Sequence, residues 1–530
     1  MRIERNMKQL FSGLAALACL AAVPAAHATE RESMEQLRNT TLSLIQMLVQ
    51  EGVLSKEKAE TLIKQAEAAK QSEAQAAKKD EPAKDTAAKD EPNTVRVQYV
   101  PKFVKDQMRE EIKNEVMAKA QAEGWVAPGS LPEWLGRIAL EGDVRLRYEQ
   151  DSFPAGNETP LNLQTQGTSI SNTSENRERL RLRARLGLKL KIADDISGGL
   201  RLATGSAGDP VSTNQTLGGD YQSSSKFSFG LDRAYVKYAP LAWLSFSGGR
   251  MANPWLNTDL VWDPDFAFDG VTAAVRPRID EHLTLFGTLG AFPIQDVETN
   301  GSTVLAKSRW LYGAQAGFEW MSDNQSTYKL GLGYYDYTRI QGVLNRLNST
   351  TQNQTARQFH QKGNTVFDIT NPAASPLTDL YGLASKFREV NLTGKADFAA
   401  FSPTHVVLSG DYVKNIGFKA SEVQALNPVS PIGGNTGWMA RLLVGMPDTT
   451  HMNDWNVFGA YKRLETNAVL DAYTDSDFHL GGTNAKGWIV GGNYGLQKNT
   501  WLNLRWFSAD EIVGAPLAID VLMLDLNAKF

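Results

Sequence analysis

Arg309-Trp310-Leu311-Tyr312-Gly313-Ala314-Gln315-Ala316-Gly317-Phe318-Glu319-Trp320-Met321 alternates with a period of two. Trp310, Tyr312, Ala314, Ala316, Phe318 and Trp320 share one face; Leu311, Gly313, Gln315, Gly317 and Glu319 share the other. Successive side chains of a strand point to opposite faces, so one face of this segment is wholly apolar. Ten steps at about 3.3 Å, tilted by roughly 40°, rise about 25 Å, the height of the apolar band on an outer-membrane barrel. The rings at both ends fall where interfacial girdles belong.

The same design recurs in Tyr328, Leu330, Leu332 and Tyr334, in Trp438, Ala440, Leu442, Val444 and Met446, and in Trp488, Val490, Gly492 and Tyr494, with Lys329, Arg441 and Asn493 on the alternate faces. A soluble sandwich also alternates, so the ensemble matters more than any single strand. Sixteen such segments are predicted, at 139–149, 177–193, 196–205, 226–239, 243–252, 268–277, 281–292, 308–321, 326–339, 386–399, 404–415, 436–446, 454–464, 485–496, 500–510 and 518–530. Short turns such as Asp194-Asp195 and 497–499 alternate with mostly longer polar loops such as 150–176 and 340–385, the turn and loop asymmetry of bacterial barrels. The expected fold is an all-β transmembrane barrel of about sixteen antiparallel strands over 137–530. An even count returns both barrel ends to the periplasm.

The last segment carries its own mark. Leu522, Leu524, Leu526, Ala528 and Phe530 occupy one face and Met523, Asp525, Asn527 and Lys529 the other, with the aromatic residue last. This resembles the carboxy-terminal assembly signature of outer-membrane barrels, which implies the β-barrel insertion machinery as a partner, with Leu522, Leu524, Leu526 and Phe530 as the signal.

At the other end, Arg2, Arg5 and Lys8 precede the apolar run Leu10–Val23, and Ala26-His27-Ala28 offers a small-x-small cleavage site. Residues 1–28 read as a secretory signal peptide. The one cysteine, Cys19, lies inside it, so disulfides and thiolate chemistry are excluded from the exported chain. Residues 29–92 read as a helical hairpin, with Leu37, Leu44 and Leu48 at helical spacing and Gly52 as the break, running into a charged Ala/Lys/Glu linker. Residues 93–136 read as a periplasmic amphipathic helix, with Phe103, Val104, Met108, Ile112, Val116 and Met117 on one face, followed by a connector. After residue 28 no run approaches the roughly 20 apolar residues of a membrane helix, which leaves a closed barrel as the way into a membrane. The formal net charge of −4 gives no basic footprint for nucleic acid.

The chain resembles the putative porin family of Gram-negative bacteria. The resemblance rests on Gly52-Val53-Leu54-Ser55 in the helical preamble, on Gly142-Asp143-Val144-Arg145-Leu146-Arg147-Tyr148-Glu149, on Arg179–Leu190, on Leu231-Asp232-Arg233-Ala234-Tyr235-Val236 and on Gly249-Arg250-Met251-Ala252-Asn253-Pro254. It covers most of the exported chain and implies a diffusion channel for small solutes in outer-membrane lipid.

A channel needs a polar interior and a constriction. In the second strand Arg177, Arg179, Arg181, Arg183 and Arg185 share one face with Lys189 and Lys191, opposite Leu180, Leu182, Ala184, Leu186, Leu188 and Leu190. An outward arginine at mid-bilayer costs roughly 2–4 kcal/mol, so the arginines belong in the lumen. Arg145, Arg147 and Arg201 extend the wall. Such a row can focus a positive potential that draws anions; it can equally pair with Asp143, Glu149 and other acids and hold the wall rigid. The loop Asn253–Ala267, after the fifth strand, is the expected constriction, with Asp259, Asp263 and Asp265 facing the arginines; the other reading is an exposed loop with solvated aspartates. The loop 340–385 is a competing plug whose Asn, Gln and Thr content favours partial disorder.

The six histidines show no paired ligand spacing, so a zinc site is not expected. With no nucleophile motif or phosphate-cradling glycine loop, neither enzyme activity nor a cofactor is expected. The alternative function is a structural envelope tether, in which residues 29–124 bind peptidoglycan or a periplasmic partner and the barrel is an anchor. A homotrimer, with the helices in a coiled coil, is a further expectation.

Overall fold

The computed structural model describes residues 136–530 apart from 166–169, 220–222, 299–305, 350–351, 372–379 and 430. The expected signal peptide, hairpin, linker and periplasmic helix lie outside the described residues.

Sixteen long strands form one antiparallel barrel: β1 Ile138–Ser152, β2 Arg177–Lys191, β3 Ile196–Ala203, β4 Gly230–Leu241, β5 Leu244–Ala252, β6 Ala267–Val275, β7 Leu283–Gln295, β8 Arg309–Met321, β9 Thr327–Thr338, β10 Phe387–Phe398, β11 His405–Asn415, β12 Thr436–Gly445, β13 Trp455–Leu464, β14 Ala485–Gln497, β15 Thr500–Glu511 and β16 Ala518–Lys529. Each pairs with the next, and β16 pairs with β1 from Asp143 opposite Lys529 to Ser152 opposite Asp520, so no edge is left open. Gly142 and Phe530 exchange both backbone hydrogen bonds at 3.0 Å, extending the seam to the last residue.

All sixteen expected segments are strands, with ends shifted by a few residues. The fourth begins at Gly230 rather than residue 226, and β3 stops at Ala203. Beyond that point the two residues Gln215–Thr216, folded back from the following loop, take over the pairing with β2 opposite Leu182 and Arg181. The Thr204 hydroxyl accepts from the Ala184 amide at 3.0 Å across the gap. The sheet therefore stays hydrogen-bonded while its third strand leaves early.

Turns 192–195, 242–243, 276–282, 322–326, 399–404, 446–454 and 498–499 close one end. The other end carries eight loops: L1 153–176, L2 204–229, L3 253–266, L4 296–308, L5 339–386, L6 416–435, L7 465–484 and L8 512–517. L1 holds helix α1 Pro160–Thr165, L6 holds α2 Ala420–Leu426, and in L5 the segments Val366–Asp368 and Tyr381–Leu383 pair as a small hairpin.

Alternation sorts the side chains as a barrel in lipid requires. Leu140, Leu180, Leu186, Leu289, Leu332 and Val457 are exposed on the outer surface, whereas Arg147, Tyr335, Phe387 and Val413 on the inner face are fully buried. The apolar core lies inside the barrel. One cluster joins Trp255, Leu260 and Trp262 of L3, Val366 of L5 and Val469 and Leu470 of L7 to Phe268, Phe292, Tyr335, Tyr337 and Phe387 on the inner wall. A second joins Phe478 of L7 and Leu163 of L1 to Phe507, Ile519, Val521 and Met523. L1, L3, L5 and L7 thus contribute side chains to the interior.

Candidate functional site in the barrel interior

The registers of β1 place arginine directly opposite arginine. Arg145 faces Arg183 and Arg147 faces Arg181, while Asp143 faces Arg185, Glu149 faces Arg179 and Asp151 faces Arg177. Like charges opposite one another destabilise a sheet, so these guanidinium groups require carboxylates from elsewhere. Arg147 makes a bidentate contact with Asp525 of β16, at 2.7 and 3.1 Å, and reaches Asp477 of L7 at 3.1 Å. Asp477 also meets Arg505 of β15 at 3.0 Å. Arg179 pairs with Glu149, which Arg181 joins at 3.1 Å. Arg183 and Arg185 share Asp143 at 2.9 and 2.7 Å, and Arg185 adds Asp265 of L3 at 3.1 Å. Arg201 pairs with Asp232 of β4, Arg145 binds the Asn214 side chain of L2, and Arg177 is exposed at the rim.

The inner arginines therefore form a basic strip whose counter-ions come from the strands and from L3 and L7. Burial pushes the Asp477 carboxyl up, but Arg147 and Arg505 outweigh it and hold it below the usual carboxylate range. Asp265 behaves alike: burial raises it, and Arg183 and Arg185 bring it down further than burial lifts it.

The three expected constriction acids part company. Asp265 meets the arginines and the Thr213 hydroxyl at 2.9 Å. Asp263 turns to its own loop and L7, accepting from the Asp265 amide at 2.7 Å and the Ser476 amide at 2.9 Å. Burial, with Asp475 and Asp265 alongside, pushes the Asp263 carboxyl well up. Asp259 offers its carbonyl to the Lys462 ammonium at 2.8 Å.

L3 is pinned to the wall by Leu256 and Gln315, which exchange bonds of 2.7 and 2.8 Å, and by Thr258 donating to Asp411 at 2.6 Å. Trp255 packs edge-on against Phe268, Phe292 and Tyr335, with centroids 5.4–6.5 Å apart. A Cβ at Gly313 would stand 2.7 Å from the Trp255 ring, so glycine on the inner face of β8 makes room for it.

L7, which was not expected at the site, ties the interior loops together. It holds L3 through the Asp263 amide on the Tyr473 carbonyl, 2.8 Å, and the Thr474 hydroxyl on the Leu260 carbonyl, 3.0 Å. It holds L5 through Arg357 on Asp471 at 2.9 Å, Asn364 on the Thr466 and Val469 carbonyls at 2.7 and 2.9 Å, and the Thr483 amide on the Lys362 carbonyl at 2.8 Å. The Lys362 ammonium donates to the Gly481 carbonyl at 2.6 Å and also to that of His479. Its sequence did carry a mark: Ala468-Val469-Leu470 and Ala472-Tyr473 are apolar, which a loop lying in water does not need. In its described part L5 gives Ile340, Val366 and Leu383 to the interior cluster, while Ile369 is buried with Phe367, Ala384 and Val423 in a separate cluster of L5 and L6.

The residues expected to form the assembly signal lie on the strand that closes the seam. Leu522, Leu524 and Leu526 alternate outward on β16 with buried Val521, Met523 and Asp525, and the Phe530 ring is exposed over Gly142. Among the described residues no group of three or more His, Cys, Asp or Glu side chains is arranged to hold a metal ion.

No curated protein matches the chain. Among solved structures it is similar to the outer membrane channel DcaP of Acinetobacter baumannii, at 11% identity and a TM-score of 0.39 over 74% of this chain and 97% of that one. Pseudomonas putida OprB matches at 11% identity and a TM-score of 0.45 over 76% and 96%, and Salmonella typhi OmpF, in a complex with daunomycin, at 13% and 0.36 over 74% and 97%. The model of the family described as "Putative porin" matches residues 38–530. The chain belongs to that family, and its closed barrel is an outer-membrane channel.

Proposed function

We propose that the protein conducts small hydrophilic solutes by passive diffusion along the basic strip of β1–β3, with anions favoured. One contrast carries the reading. The side chains of Arg179, Arg181, Arg183 and Arg185 keep 13–17% of their surface open to solvent, whereas Tyr335 and Phe387 on the aromatic part of the wall are sealed at 0%. Water, and solutes that travel with it, follow the arginines. Asp265 supplies the opposing charge from L3, so a solute crosses a transverse field that orients dipoles and sorts by charge.

The paired carboxylates reduce the fixed charge of the strip, so the expected preference is modest. Discrete conductance steps of the purified barrel in planar bilayers test the channel, and zero-current potentials in a KCl gradient test the sign. Replacing Arg181 and Arg183 by Gln leaves Glu149 and Asp143 with fewer counter-ions, and the sign should swing toward cations. A folded barrel without current removes the proposal; unchanged potentials in the double variant remove the role of the strip.

A further inference from the structure

At the long-loop end, a cavity of about 500 Å³ lies between L2, L3, L5 and L7 and the ends of β4–β8. That is within the roughly 300–1,000 Å³ of small-molecule sites. Its walls are largely aromatic and aliphatic. Phe266 stacks on Tyr473 with centroids 4.5 Å apart, and Phe268 meets Phe266 and Phe292 at 4.7 and 4.9 Å.

Into this setting β8 brings Arg309, which is 95% buried, being 5% exposed. The other two arginines of the cavity are neutralised: Arg250 by Asp269 at 2.8 Å and Arg357 by Asp471 at 2.9 Å. The remaining acid, Asp209, spends a carboxylate oxygen on the Val211 amide at 3.0 Å. Arg309 has no acidic partner among the described residues, and its Nη2 is buried without a hydrogen-bond partner. Tyr473 supplies no anion, since burial pushes its phenol up to about 12. A buried unpaired cation is among the most costly features a fold can keep, which marks it as a place for an incoming anion.

We propose that this cavity binds small aromatic monocarboxylates, the carboxylate on Arg309 and the ring among Phe266, Phe292 and Tyr473. The planar guanidinium matches a carboxylate in fork geometry. The ring walls offer stacking and edge contacts to an aromatic body and solvate a multiply charged inorganic anion poorly. This rests on the diffusion-channel reading and gives it a preferred solute class.

The test uses the full-length protein in planar bilayers, with benzoate, benzyl alcohol and acetate each added to KCl. Benzoate should reduce the KCl current at concentrations where the other two do not. Arg309→Gln should raise the half-blocking concentration about tenfold or more while KCl conductance persists, and Arg309→Lys should recover part of the effect. Equal block by benzyl alcohol, or an unchanged response in Arg309→Gln, overturns the site; the wild-type comparison of three solutes decides the matter if the variant does not fold. Equilibrium dialysis of labelled benzoate against micellar protein separates the two readings. Saturable binding without KCl current keeps the site and removes the channel, and current without benzoate binding does the reverse.

Discussion

Asp477 shows how much one loop residue can hold. It bridges Arg147 and Arg505 at 3.1 and 3.0 Å, so its removal leaves two arginines short of an anion inside the barrel. Breaking a buried pair from one side costs about 3–5 kcal/mol. Asp477→Asn should lower the temperature of the heat-induced mobility shift on gels and raise single-channel conductance as L7 loosens; a variant with both values unchanged contradicts the bridge. The pH dependence follows from the same contacts. Asp477 and Asp265 titrate below their unfolded values, so between those limits the unfolded chain binds more protons and stability rises with pH. Their contribution is full above the unfolded value of roughly 3.9 and is lost as pH falls through the folded values. Asp263, raised by burial, acts with the opposite sign, costing stability as pH climbs above that same unfolded value. Melting measured from pH 2 to 4 should therefore rise in the wild type and rise less steeply in Asp477→Asn.

L7 and L5 interlock through backbone approaches that only glycine permits. Gly482 has φ +92°, and a Cβ there would stand 1.9 Å from the Lys362 carbonyl oxygen; Gly363 has φ +113° and would stand 2.4 Å from that of Thr483. Gly482→Ala should separate the two loops, giving faster proteolytic cleavage within 465–484 and a larger, noisier conductance, with the strand content of the circular dichroism spectrum unchanged. An unaltered digestion pattern would show that the interlock is not held there. The sequence made L3 legible as an inward loop through its position after the fifth strand and its aspartates. It did not make L7 legible. Ala468-Val469-Leu470 becomes buried only because the barrel brings Tyr337, Phe387 and Met439 around it, and a period-based reading sees neighbours in sequence, not across a lumen. Nor could spacing show that Asp263 and Asp265, two residues apart, would meet different elements.

At the scale of the whole molecule, the strands were legible because lipid outside and ion pairs inside impose opposite demands on alternate residues. Leu186 beside Arg185 states the requirement locally, and the same contrast repeats around the wall. Closure is local too: the Asp143–Ser152 pairing with Asp520–Lys529, finished by Gly142 and Phe530, makes the barrel complete from residue 138 onward. Each of the sixteen long strands finds its two partners inside 138–530. The tether expected as the alternative for residues 29–124 can therefore be tested apart from the channel. A variant that keeps residues 1–28 and joins them to residue 136 should still insert, shift its mobility on heating and give the wild-type unit conductance in bilayers. A tether role would appear instead as a loss of co-sedimentation with peptidoglycan sacculi at unchanged conductance. If the shortened chain fails to conduct while its barrel remains heat-modifiable, the amino-terminal segment belongs to the conduction path, and a channel closed upon itself at Phe530 is not the whole functional unit.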